Sequence, residues 1–92
     1  MSYYLKDPQS RVDYSIDWTG YLDGQAIESS SWSIVPEESG GLTVDEQSRD
    51  LVRTAATIAG GQTGRVYSVS NKVILSDGRS DERSITLRVE QR

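Results

Sequence analysis

Apolar and polar residues alternate along much of this chain, and the clearest alternation lies in its last third. Tyr67, Val69, Asn71, Val73 and Leu75 fall on one face of a continuous run, and Ile85, Leu87 and Val89 do the same in the run that follows. A period of two marks a strand with one buried face. Between the runs, Ser76-Asp77-Gly78-Arg79-Ser80-Asp81 carries an Asp-Gly pair suited to a tight turn, so the two strands are expected to form a hairpin.

The same reading extends upstream. Val12, Tyr14, Ile16 and Trp18 share one face, while Asp13, Ser15 and Asp17 take the other. Thr19 to Gly24 contains two glycines and is expected to turn through about one helical turn, with Tyr21 and Leu22 plugging an end of the core. Ala26 to Val35 reads as extended, with Ser29-Ser30-Ser31 fitting a bulge or a sheet switch and Trp32 and Ile34 facing inward together. Pro36 to Gly41 is a polar loop, and Leu42-Thr43-Val44 restarts a strand. Asp45 to Asp50 shows no pattern, after which Val52, Thr54, Ala56 and Ile58 resume period two. A helix over Asp45 to Ala59 is the competing reading. Thr54, Thr57 and Ile58 are poor helix formers and no apolar stripe recurs at three and four, so strand is preferred. Ala59 to Gly64 is a glycine-rich turn.

Six or seven strands without a convincing helix predict an all-β fold, an immunoglobulin-like antiparallel β-sandwich over residues 11–92, preceded by an N-terminal arm over residues 1–10. Tyr67 stands two positions before Val69, the spacing of the tyrosine corner in such domains; Val69 would occupy the place of the second cysteine. Trp18, Trp32, Tyr67 and Val69 are accordingly assigned to the structural core.

Composition narrows the range of function. With 92 residues, of which 35% are hydrophobic and none is Phe, the chain can build one small core. Cysteine and histidine are both absent, which removes disulfides, thiolate metal sites, His-based metal sites and the usual hydrolase triads. A net charge of −4 and a pI near 4.6 disfavour a sequence-independent nucleic-acid binder. No segment approaches a membrane span and the N-terminus lacks a signal peptide's apolar stretch, so the chain reads as soluble and unexported, with neither nucleic acid nor membrane as partner.

Carboxylates are the remaining candidates for chemistry. Asp77, Asp81 and Glu82 cluster in the last turn, and Asp45, Glu46 and Asp50 in the middle, but neither group has calcium-loop spacing, and Arg79 and Arg83 balance the first. No catalytic, cofactor or metal residue is therefore assigned. Trp18 and Trp32 could serve as sugar-stacking platforms, yet both are in phase with inward apolar neighbours, which favours core packing. Tyr3, Tyr4 and Leu5 are consecutive, apolar and outside the patterned region. They would either contact another subunit or pair within their own domain, and both arrangements stay open.

One resemblance covers nearly the whole chain. Lys6-Asp7-Pro8, Asp13 to Trp18, Ser30 to Pro36, Gly41-Leu42-Thr43, Gly60 to Gly64, Tyr67 to Asn71 and Gly78 to Ser84, in that order, resemble a family of small structural proteins of tailed bacteriophages. Its members are commonly described as fibre-tail adaptor or head-tail region proteins. The chain departs from the expected pattern by the inserted Glu37-Glu38-Ser39-Gly40 and by Ala55 to Ala59, which is less aromatic. The resemblance implies a non-enzymatic virion protein, assembled in the host cytoplasm, that joins parts near the head-tail junction or fibre base as a homo-oligomer in contact with other virion proteins. It brings no cofactor and no catalytic residue. A capsid cement or decoration protein and a carbohydrate- or cell-surface-binding module are the alternatives.

Overall fold

Alternating apolar faces can be buried only by apposing two sheets, and the computed structural model shows that arrangement. It describes residues 2–91, apart from the side chains of Ser2 and Tyr3. The elements are β1 (Ser2–Lys6), β2 (Arg11–Asp17), α1 (Thr19–Leu22), β3 (Ile27–Val35), β4 (Leu42–Arg49), β5 (Arg53–Gly60), β6 (Val66–Leu75) and β7 (Ser80–Val89). One sheet has the order β1-β7-β6-β3 and the other β2-β5-β4. If the strands are lettered A to G in chain order, the sheets are AGFC and BED. This is the immunoglobulin arrangement with the first strand moved from the BED sheet to the edge beside G.

Every described strand pair is antiparallel except β1 with β7, which run parallel with Ser2 opposite Ile85 and Lys6 opposite Val89. Intradomain pairing, one of the two arrangements open to this segment in the sequence, is therefore the one it adopts here. The irregularity expected at the serine run of β3 falls just ahead of it, as a register shift between Ile27 and Ser29, while Ser29, Ser30 and Ser31 pair in unbroken register with Ile74, Val73 and Lys72. A second shift lies between Val44 and Glu46 in β4. That bulge explains why Asp45 to Arg49 carries no readable period although it continues the strand: one extra residue resets the alternation, and an edge position buries little on either face.

Two clusters fill the gap between the sheets. Ile34, Leu42, Ala56, Ile58, Tyr67, Val69, Leu87 and Val89 form the larger, and Trp18, Leu22, Ile27, Val73 and Leu75 the smaller. Leu22 plugs the end of the smaller cluster, whereas Tyr21 remains 50% exposed and lays its ring edge-on to Trp18 with centroids 5.7 Å apart. The expectation that both residues plug this end is corrected for Tyr21, because a single turn of helix can direct only one of two adjacent side chains inward. Trp32 is half-buried against the larger cluster.

A polar network replaces a covalent bridge. Asn71 lies in the inward column of β6 and is fully buried. Its Oδ1 accepts from Thr54 Oγ1 (2.6 Å) and Trp18 Nε1 (3.2 Å), while its Nδ2 donates to Ser30 Oγ (2.8 Å) and the Ser31 carbonyl (3.0 Å). Trp18 Nε1 also donates to Thr54 Oγ1 at 3.0 Å. One amide thus ties β3, β5 and β6 to the end of β2, and all its hydrogen-bonding capacity is used.

At the opposite end Tyr67 makes the corner contact: its hydroxyl accepts the Gln62 N–H (3.1 Å) and donates to Glu38 Oε1 (2.8 Å). Burial raises the Tyr67 pKa, and its hydrogen bond to the Glu38 carboxylate acts in the same direction. Gln62 Nε2 also donates to the Ser39 carbonyl at 2.7 Å. Glu38 and Ser39 come from the inserted loop, so that insertion seals the core end. Gly61 is held at φ 106°, and a Cβ there would lie 2.6 Å from Val89 Cγ2, so the turn requires glycine.

Candidate assembly surfaces

The four edges of the two sheets are guarded unequally. Along β2, Arg11, Asp13 and Asp17 are exposed, and along β4 Asp45, Glu46 and Arg49 are exposed. Charges of this kind discourage a foreign strand from adding to the sheet. On β3 the only charge is Glu28, and on β1 the only charge, Lys6, is buried at 1% exposure. The β1 and β3 edges of the four-stranded sheet are therefore the more permissive pair.

Lys6 anchors β1. Its Nζ donates to the Gly60 carbonyl (2.7 Å) and to the Asp7 carbonyl (2.9 Å), which fastens the strand to the end of β5 in the opposite sheet. Burial lowers its pKa from the ordinary lysine value, opposed by the nearby Asp7 carboxylate. Tyr4, facing the flank, meets Tyr14 of β2 with ring centroids 5.3 Å apart. Leu5 turns the other way, onto the outer face.

Register places Leu5 beside Arg88 and Arg88 beside Val66, so these three form a row across β1, β7 and β6. Val35 follows one row further on, opposite Ser68. Leu5 is 45% exposed, Val66 47% and Val35 64%, giving an apolar patch around one arginine whose Nε pairs with Glu90 Oε1 at 2.7 Å. Next to the patch this outer face is small and hydroxylated, with Ser33, Ser68, Ser70, Ser84 and Thr86 in neighbouring register positions, and Lys72, Glu82 and Ile74 lie further along it. The hydroxylated side chains lose little rotamer entropy when covered.

The residues singled out in the sequence divide as follows. Trp18, Tyr67 and Val69 are buried in the sandwich and Trp32 is half-buried at its β3 edge. Tyr4 and Leu5 are substantially exposed on β1, while the Tyr3 side chain lies outside the described residues. Sequence reasoning did not single out Val35 and Val66. Their signal was an apolar residue out of phase with the inward column of its own strand. Nor did it single out Asn71 or Lys6; a polar residue inside an apolar column was the available sign for Asn71.

Among the described residues no three acidic groups converge to hold a metal. Concavities are shallow surface troughs. One of about 370 Å³ runs along the flank between β2 and β7, lined by Tyr4, Ile16, Asp17, Arg83 and Ile85 among others. No helix is long and apolar enough to cross a membrane.

Taken together, these features define an immunoglobulin-type β-sandwich with a sealed core, whose distinguishing surfaces are a pair of permissive strand edges and one apolar, hydroxyl-rich sheet face. The chain belongs to the podophage GP4 fiber-tail adaptor protein gp77 family, whose model matches residues 6–88. It is thus a phage structural protein, a component of the virion that works with other virion proteins. No curated protein matches the chain significantly.

Proposed function

We propose that the chain is a non-enzymatic adaptor that joins a fibre to the tail at the fibre base, and that it does so through the four-stranded sheet, using β1 and the outer patch of Leu5, Val66 and Val35. The observation that carries this reading is the asymmetry between the sheets. The three-stranded sheet is edged with charge, whereas the four-stranded one combines permissive edges with exposed apolar side chains on a face of small residues. Family membership supports the location. A sugar-binding reading would need a tryptophan face open to solvent; Trp18 is fully buried, and Trp32 is half-buried with its ring packed against the larger core cluster.

The test is incorporation. Leu5→Glu combined with Val66→Glu alters side chains that point away from the core, so the protein stays folded. Phage carrying the pair should assemble heads and tails but lose most of this protein and its fibres, measured by mass spectrometry of purified virions and by electron microscopy. Normal fibre occupancy in those particles would overturn the proposal. Copies spread over the head shell in the wild-type particle would favour the decoration reading instead.

A further inference from the structure

We propose that the first half of β7, Ser80-Asp81-Glu82-Arg83-Ser84, is a self-complementary edge through which two copies of this chain pair antiparallel about a two-fold axis at Glu82. The inference depends on the fold and not on the adaptor reading. The sheet has a gap beside β7. β1 covers β7 only from Ile85 to Val89, so the described residues give Ser80 to Ser84 no partner strand on that side. The Glu82 N–H donates instead to its neighbour's carboxylate, Asp81 Oδ1, at 2.8 Å.

Charge on an open edge repels most strands, but it admits one whose charges run in the opposite order. Read antiparallel to itself about Glu82, this segment sets Asp81 opposite Arg83 of the mate, Arg83 opposite Asp81, and each of Ser80 and Ser84 opposite the other. Two ion pairs and two hydroxyl pairs result from a single symmetric register. The two Glu82 side chains face each other on the outer sheet surface, where Lys72, the register neighbour of Glu82 on β6, is supplied by both copies to balance them.

Arg83 is already placed for this role. Its guanidinium carbon lies 5.9 Å from the ring centroid of Trp18 and 5.2 Å from that of Tyr21, on the side of β7 that faces the flank trough. Among the described residues none of Asp81, Glu82 and Arg83 takes part in an ion pair. The mate's Asp81 can therefore meet a guanidinium held by stacking, which limits the entropy lost on pairing. Pairing spans only positions 80–84 of each copy, so both β1 strands stay in place and the result is one sheet continuous across the dimer. An interface this short is weak alone and gains strength when other contacts in an assembly hold the copies together.

Because the chain has no cysteine, one introduced thiol reports the geometry without background. In the proposed register, position 82 faces itself at a Cα separation of about 5.5 Å, within disulfide range. Glu82→Cys should form a disulfide-linked dimer of the full chain under mild oxidation, well ahead of Ile74→Cys, an exposed site on the same face. Charge swaps give an independent readout by sedimentation velocity across a concentration series. Asp81→Arg alone and Arg83→Asp alone should each weaken self-association by about tenfold or more, and mixing the two variants should restore it, because each then presents the charges the other lacks. Equal cross-linking at positions 74 and 82 would overturn the proposal. So would failure of two folded swap variants to recover association on mixing.

Discussion

At the scale of single residues, the Asn71 amide is the hub of the polar contacts that tie the two sheets of this sandwich together. The amide satisfies Trp18 and Thr54 within the core, and Ser30 and the Ser31 carbonyl at its partly buried margin. Asn71→Ala would leave the indole N–H with Thr54 alone and strip Ser30 and Ser31 of a donor, while opening a small cavity. Unsatisfied buried groups cost about 1–3 kcal/mol each, so a loss of about 3 kcal/mol or more is expected in urea denaturation, with the m-value unchanged. Replacement by Leu should not recover stability, since the partners would stay unpaired; a Leu variant as stable as wild type would show that the network contributes little beyond volume.

At the scale of elements, the strands easiest to read were those with one face wholly inside. The columns of β6 and of β7 from Ile85 to Val89 alternate cleanly because these stretches lie inside the four-stranded sheet, and Tyr67, Val69, Val73 and Leu87 are buried accordingly. β4 was legible only to Val44, since its bulge and its edge position erase the period beyond. β1 was ambiguous for another reason: five residues of parallel pairing leave no sequence pattern that separates an intradomain strand from one docked on a neighbour. The proposed assembly surface was half legible through Tyr4 and Leu5. Its other part, Val35 and Val66, becomes visible only when register aligns separate strands. Beyond its pairing with β7, β1 is fastened to the opposite sheet by Lys6, so Lys6→Ala should loosen that strand selectively. Amide hydrogen exchange is expected to accelerate from Tyr3 to Lys6 while the amides of β6 keep their protection, and uniform acceleration would mean that β1 and the core unfold as one unit.

At the scale of the whole molecule, stability in acid is set by carboxylates that hold turns rather than by buried ion pairs. Asp50 accepts the N–H groups of Val52 and Arg53 at the β4–β5 turn, Asp17 accepts both the N–H and the hydroxyl of Thr19 ahead of α1, and Asp77 accepts the Arg79 N–H in the β6–β7 turn. Those hydrogen bonds hold each carboxyl below its ordinary value of 3.8. Since the folded value lies below the unfolded one, the stabilisation is complete above the unfolded value and disappears as pH falls through the folded values. Thermal unfolding should therefore be nearly flat from pH 7 to about pH 5 and drop steeply below about pH 4, with little dependence on salt because the donors are mostly backbone N–H groups. Asp50→Asn should lower the melting temperature at pH 7 and flatten the acid slope, since an amide oxygen accepts the same bonds more weakly and does not titrate. An unchanged slope in that variant would shift the cause to net charge. In that case added salt would restore acid stability, because repulsion among the ten Lys and Arg residues is screened whereas a lost turn hydrogen bond is not.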